Sequence, residues 1–196
     1  MKWRLFISLA AAGLVAGACR KAAPPAAPIP AAAPAPAAVA PSSAGGLPPA
    51  YVRQLPTQAL PKLRTAKLWL GSEEMTAELA VTPEHLFVGM MFRTNLEANA
   101  GMLFLLGRLS QPTCWTYNCP LALSAAYLDP AGIILELHDF QPMSTNLVAA
   151  TATNVQYILE TSRGWFEQHH IGIGTLVRTE QGSLPETFTP RRNAVR

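Results

Sequence analysis

The chain has 196 residues, of which 49% are hydrophobic and 14% are charged, and its formal net charge is +3. This length allows one domain with a sizeable hydrophobic core. The positive charge lies at the two ends, because residues 51–190 contain eight Lys or Arg against twelve Asp or Glu, a balance of −4. A body of this charge repels phosphates, so the composition argues against nucleic-acid binding.

The chain begins with a segment that predicts export. Lys2 and Arg4 precede an apolar run over residues 5–15, and small residues then lead to Cys19. This pattern predicts a signal peptide over residues 1–18, since the run is too short to span a bilayer. The position of Cys19 resembles the acylation site of bacterial lipoproteins, which implies that its thiol carries acyl chains, palmitate among them, and that these hold the protein on a membrane. An ordinary cleaved signal peptide is the alternative.

The residue after the cysteine bears on localisation. It is Arg20 and not Asp, which by the same resemblance implies the outer membrane, facing the periplasm. Residues 19–62 are predicted to be a disordered tether, because half of the 18 prolines lie between residues 20 and 50 among alanines. At about 3.1 Å per residue, this stretch could reach on the order of 90 Å. A folded domain is expected at 63–180 and a flexible basic tail at 181–196.

The body of the chain predicts a small α+β domain, β-rich and barrel-like, with two short helices. Thr82 and Pro83 are typical of a helix start, and that helix is predicted to run to about Arg93. A second helix is expected at 163–169. Strands are predicted at 65–70, 75–81, 101–106, 121–128, 133–140 and 155–160.

Three blocks of residues resemble the domain of unknown function 192 family over residues 66–178. They are Glu78-Leu79-Ala80 with Gly89-Met90-Met91-Phe92-Arg93; Gly101-Met102-Leu103-Phe104 with Trp115 and Asn118; and Tyr157-Ile158-Leu159-Glu160 with Gly164-Trp165 and Gly172-Ile173-Gly174. The resemblance implies a β-rich barrel-like fold and no settled activity.

The chain departs from the family at charged positions. Tyr117 stands where the family has a Lys, Ser124 where it has an Asp, and Thr175 where it has another acid. Proton transfer that relied on those groups is unsupported here, because Tyr and Ser do not replace a carboxylate near neutral pH. We therefore expect no catalytic residues.

The candidate site consists of Glu78, Arg93, Asn118 and Glu160. In one interpretation, Arg93 and Asn118 orient a ligand that hydrogen-bonds to the carboxylates. In the other, which we favour, Arg93 pairs with one of the acids and Asn118 caps a turn through its side chain.

Cys114 and Cys119 are a possible disulfide, because two cysteines remain in an oxidising compartment once Cys19 is acylated. The bond requires the chain to turn back, since five residues of straight strand span about 16 Å. No cofactor or metal site is predicted. The adjacent His169 and His170 would point about 100° apart on a helix and seldom bind one ion.

The expected function is that of a cell-envelope lipoprotein, attached to the membrane through its lipid, that binds an unidentified envelope ligand or protein without catalysis. A hydrolase or other enzyme acting on envelope material is the first alternative, and a purely structural lipoprotein is the second.

Overall fold

The computed structural model describes residues 55–188, which form a mostly β-sheet domain with three short helices. The elements in chain order are β1 (Thr65–Leu70), β2 (Glu73–Ala80), α1 (Pro83–Val88), β3 (Ala100–Ser110), β4 (Thr113–Cys114), β5 (Leu123–Leu128), β6 (Ile134–Phe140), β7 (Val148–Ala149), β8 (Val155–Ser162), α2 (Trp165–Gln168), β9 (Val177–Thr179), β10 (Gly182–Ser183) and α3 (Leu184–Phe188). None of the helices in this part of the chain is long and apolar enough to cross a membrane. The predicted signal peptide, Cys19, residues 20–54 of the tether and residues 189–196 of the predicted tail lie outside the described residues. The first part of the predicted flexible tail is instead ordered, because it forms β10 and α3.

Eight strands form one sheet in the order β10-β9-β1-β2-β3-β8-β5-β6, and β4 pairs separately with β7. Neighbouring strands of the large sheet are antiparallel except for β2 and β3, which are parallel and joined through α1. A parallel pair requires a crossover connection, which places α1 against one face of the sheet. The sheet therefore has β3 and β8 near its centre, with covering segments on both faces.

Alternating side chains along the central strands divide the hydrophobic core into two clusters. One cluster includes Leu103 and Leu159 with Trp165 of α2 and Leu184 of α3. The other lies on the opposite face, beside α1 and the 112–121 segment, and its buried members include Met90, Met102, Phe104, Cys119 and Ile158. The candidate site lies on this face of the sheet, beside α1 and the 112–121 segment.

The two ends of the sheet approach each other at one point without closing. Ile133 and Leu176 form an isolated antiparallel bridge, and the Ile134 N–H donates to the Thr175 carbonyl at 3.0 Å. This bridge links the β5–β6 turn to the segment before β9, yet β6 and β10 remain the edges of an open sheet. The mostly β architecture is confirmed, and the barrel-like part of the prediction is not.

The predicted extension of α1 to about Arg93 is wrong, because the helix ends at Val88. Gly89 follows with φ 48° and ψ −124°, a conformation that breaks the helix. A Cβ at this position would meet the Phe104 ring at 3.1 Å, so the backbone passes close to β3. Residues 89–93 instead form turns, in which the Met91 N–H donates to the Val88 carbonyl at 2.9 Å.

Candidate functional site

Two of the four predicted site residues bind each other. Arg93 donates from Nη1 to Oε1 of Glu78 at 2.7 Å and from Nη2 to Oε2 at 2.8 Å, a bidentate ion pair. The side chains are 17% and 14% exposed, and the Leu63 N–H also donates to Glu78 at 2.7 Å. Burial acts to raise the pKa of Glu78, but the hydrogen bonds from Arg93 and Leu63 outweigh it and the pKa is lowered. This geometry matches the structural interpretation of the pair.

Asn118 lies in a turn and not in a cluster with the charged residues. The Cys119 N–H donates to the Thr116 carbonyl at 3.0 Å, and Asn118 has φ 53°. Asn tolerates this left-handed conformation, as the third residue of such a turn requires. The Asn118 carbonyl accepts from the Phe92 N–H at 2.7 Å, which ties the turn to the segment after α1. Over residues 55–188 no hydrogen bond uses the Asn118 side-chain amide, so the turn is held through the Asn118 backbone and not by the predicted side-chain cap.

Glu160 lies on the same face of the sheet as Glu78 but does not reach it. In the strand register Glu78 is opposite Met102, and Met102 is opposite Glu160. Two strand spacings separate the acids by about 10 Å. Met102, which is fully buried, stands between them. The four predicted residues therefore do not converge on one site.

Glu160 lines a separate pocket of about 210 Å³, which we call the Glu160 pocket. Its walls are the end of α1 with residues 89–91, side chains from β3, β5 and β8, and the 112–119 segment. Most lining side chains are apolar, aromatic or sulfur-bearing: Leu86, Phe87, Val88, Met90, Met91, Phe104, Leu106, Cys114, Trp115, Tyr117, Cys119, Leu123 and Ile158. This composition is typical of small-molecule sites, in which an apolar wall surrounds a few polar groups.

The carboxyl group of Glu160 is the exceptional feature of the pocket. The residue is 8% exposed, and within the described part of the chain no cation or hydrogen-bond donor partners its carboxyl group. Burial raises its pKa to about 7, since the charged form is deprived of water and receives no compensating partner. At neutral pH the group is poised between its protonated and ionised forms.

Two thiols share this pocket. Cys114 and Cys119 are both free in the structure, so their pairing stays a prediction, although the chain does turn between them. Burial raises the pKa of Cys114 to about 12 and also raises that of Cys119. Both thiols are therefore protonated at neutral pH and are weak nucleophiles.

Sequence reasoning named Glu160 but missed the wall around it. Trp115 and Tyr117 line the pocket with their rings stacked at a centroid distance of 5.0 Å. The sequence offered one signal for this wall, which is the spacing of Trp115 and Tyr117. Residues two apart on an extended segment lie on the same side, and Thr116 between them is buried on the other. At a family position that lacks its usual acid, the Ser124 hydroxyl donates to Asp139 at 2.5 Å and accepts from the Gly164 N–H at 2.9 Å. Ser124 therefore has a structural role.

No metal site is formed by the described residues, where no three His, Cys, Asp or Glu side chains are grouped to bind an ion.

Comparisons with known proteins bear on the fold. A sequence profile of a family described as an uncharacterised ACR family, domain of unknown function 192, matches residues 66–179. A search of curated proteins found no match. Among solved structures, the chain is similar to a Sinorhizobium meliloti protein described as a candidate transcription regulator, with 24% identity and a TM-score of 0.58 over 62% of this chain and 98% of that chain. It is also similar to a Novosphingobium aromaticivorans protein of unknown function, with 23% identity and a TM-score of 0.53 over 58% of this chain and 83% of that chain. At these identities the similarity shows the fold alone.

Proposed function

Because the chain belongs to the domain of unknown function 192 family, which is described as uncharacterised, we propose its function from its own residues. It is a lipid-anchored protein of the bacterial cell envelope, and its domain binds a small ligand in the Glu160 pocket without converting it.

The observation that carries the binding proposal is the unpaired carboxyl group in an apolar pocket. A buried carboxyl group without a partner costs stability, since its charged form loses hydration and gains nothing in return. Groups of this kind concentrate at binding and catalytic sites, where a ligand supplies the missing partner. Glu160 meets this description, whereas the buried acid Glu78 already has Arg93 and Leu63 as partners.

The chemistry of the pocket favours binding over catalysis. The two thiols of the pocket, Cys114 and Cys119, are protonated at neutral pH. A catalytic thiol needs a lowered pKa, usually from an adjacent cation or base. The described residues that line the pocket include no Lys, Arg or His that could lower it.

The envelope location is supported by the amino-terminal sequence. The basic start, the apolar run and the small residues before Cys19 form a lipoprotein-type signal. Two or three acyl chains on one residue hold a protein on a membrane almost permanently, because each buried methylene contributes about 0.8 kcal/mol. The Ala/Pro-rich composition of residues 20–50 is typical of a spacer between an anchor and a folded domain.

The anchor is tested by membrane fractionation after expression in a bacterium with labelled palmitate. The full chain should carry label and sediment with membranes, while Cys19→Ser should carry no label and remain soluble. Cys114→Ser, which removes a different thiol, should behave as the wild type does. Equal labelling or equal sedimentation of Cys19→Ser and the wild type would exclude anchoring through Cys19.

The pocket is tested with fragment-sized aromatic molecules carrying an amine, a hydroxyl or a carboxylate, monitored by NMR chemical shifts of the labelled full chain. At least one class should shift the signals of residues that line the pocket. Leu86→Trp, which places a bulky ring where the pocket wall has an aliphatic side chain, should abolish the shifts. Leu109→Trp should not, because Leu109 is 55% exposed and lies outside the lining. Shifts that survive Leu86→Trp, or no shifts with any class, would refute binding in this pocket.

A further inference from the structure

The charge around Glu160 selects the kind of ligand that the pocket can accept. Among the described residues that line it, Glu160 is the one carboxyl group and there is no Lys, Arg or His. A carboxylate or phosphate ligand would bring a second negative charge into a site with no cation to balance it. A cationic ligand would instead supply the partner that Glu160 lacks.

The aromatic residues of the pocket point to the same class. Trp115, Tyr117 and Phe104 line it, and the first two stack with an interplanar angle of 17°. Aromatic rings attract cations through their negative faces, and a carboxylate beside aromatic rings is a combination that recognises ammonium groups. An apolar body attached to the ammonium would lie against side chains such as Met90 and Ile158.

We propose that the ligand of the Glu160 pocket is a small organic amine, whose ammonium group binds the Glu160 carboxylate and whose apolar body contacts the aromatic and aliphatic wall. This inference rests on the proposed function, since it assigns a chemical class to the ligand of the same pocket. With a volume of about 210 Å³, the pocket suits an amine of the size of 2-phenylethylamine.

Four other titratable groups lie near Glu160 and could affect the pH dependence of amine binding. They are Cys114 of β4, Tyr117 and Cys119 of the 115–119 turn, and Tyr127 of β5, while the lining residues of α1 and β3 carry no titratable group. Burial raises the pKa values of Cys114, Cys119 and Tyr127, so these three stay neutral near pH 7.

The pH dependence of amine binding follows from Glu160. An ammonium requires its ionised form, and with a pKa of about 7 that form rises from about one tenth at pH 6 to about nine tenths at pH 8. The affinity for an amine should therefore rise about tenfold over this range. A neutral alcohol of the same shape has no such requirement.

The experiment compares 2-phenylethylamine with 2-phenylethanol, which differ in the group that would meet Glu160, by calorimetric titration of the full chain at pH 6 and pH 8. The amine should bind at least tenfold more tightly than the alcohol at pH 8 and lose about tenfold in affinity at pH 6. Glu160→Gln should reduce amine binding at pH 8 by at least tenfold and remove its dependence on pH between 6 and 8. Thermal unfolding of this variant checks that it remains folded.

Different results would overturn the amine assignment and ligand binding in the pocket. If the amine and the alcohol bind equally, or if Glu160→Gln leaves amine binding unchanged, the amine assignment is overturned while the pocket remains a binding site. If neither probe binds at either pH, the amine assignment fails, and ligand binding in the pocket fails with it only if none of the other fragment classes shifts the NMR signals of the lining residues.

Discussion

Replacing Glu160 with Gln should stabilise the protein, and the gain should grow with pH. Burial raises the pKa of Glu160 from 4.5 to about 7, so between these values the folded chain retains a proton that the unfolded chain has released. The stability of the wild type therefore falls as pH rises through this window and levels off above about pH 7. The difference between the two pKa values corresponds to about 3 kcal/mol, at about 1.4 kcal/mol for each pKa unit.

The assay is urea denaturation of the full chain and of Glu160→Gln at pH 5 and pH 9, followed by tryptophan fluorescence. Gln has nearly the shape of protonated Glu but cannot ionise, so the difference between the two proteins isolates the titration of this residue. The stability advantage of the variant should be greater at pH 9 than at pH 5 by roughly 2 kcal/mol or more, because part of the cost is already present at pH 5.

The matched control is Glu167→Gln, which removes an exposed acid on α2. Its difference from the wild type should stay within about 0.5 kcal/mol at both pH values. An advantage of Glu160→Gln that does not change between pH 5 and pH 9 would refute the view that Glu160 ionises in a buried and unpaired state. An advantage that shrinks with pH would mean that a donor stabilises its charged form.

Three further substitutions test interactions that stabilise the domain, with the free energy of unfolding measured by urea denaturation. Arg93→Met should cost about 3 kcal/mol near pH 7 by leaving Glu78 buried without its partner; the loss should shrink as pH falls below 4.5 and when Glu78→Gln is added, and a pH-independent loss would contradict the ion pair. Thr82→Ala should cost about 1 kcal/mol through loss of the α1 cap, whereas Thr82→Ser should cost little. Gly101→Ala should cost about 2 kcal/mol or more, because its Cβ would lie 2.6 Å from a backbone oxygen; Gly172→Ala, with open space around it, should be nearly neutral, and equal losses would contradict the packing argument.

The strands that the sequence predicts well are those with a long apolar pattern of their own. The bounds of β1 agree with the prediction at both ends, and β8 begins at the predicted Val155. The two-residue strands β4 and β7 lack any such pattern, because each exists through pairing with the other across 33 intervening residues, from 115 to 147. Short strands of this kind depend on tertiary context, which local propensity does not contain.

The premature end of α1 has a similar cause. Apolar spacing through Met90 and Met91 continues the helical pattern, but Gly89 takes a conformation that ends the helix, at a point where a Cβ would meet the Phe104 ring. The sequence shows the glycine and the apolar residues, whereas the approach of β3 that decides between them is visible only in the fold. Tertiary packing here overrides a favourable local pattern.

The candidate residues were identifiable by type, but their grouping was not. Arg93 was expected to pair with an acid, and both Glu78 and Glu160 were available. The parallel pairing of β2 with β3 and the antiparallel pairing of β3 with β8 place Met102 between the two acids. The strand order therefore keeps the two acids apart. Glu78 pairs with Arg93, and Glu160 has no partner among the described residues.

The unpaired state of Glu160 links the stability of the domain to its proposed function. From the shift in its pKa, the carboxyl group should cost the ligand-free protein about 3 kcal/mol above pH 7, a cost that Gln at the same position would remove. A ligand that pairs with the carboxylate would restore part of this energy, and by linkage its binding raises the free energy of unfolding by RT ln(1 + [L]/Kd). Glu160 therefore lowers the stability of the ligand-free domain but provides the carboxylate that binds an amine. Function limits stability in the same way at other binding sites. Glu160→Gln should raise the stability of the empty protein at pH 8 and remove most of the stabilisation that 2-phenylethylamine gives. A variant that gained stability and kept the full effect of the amine would show that the ligand and the carboxyl group do not meet.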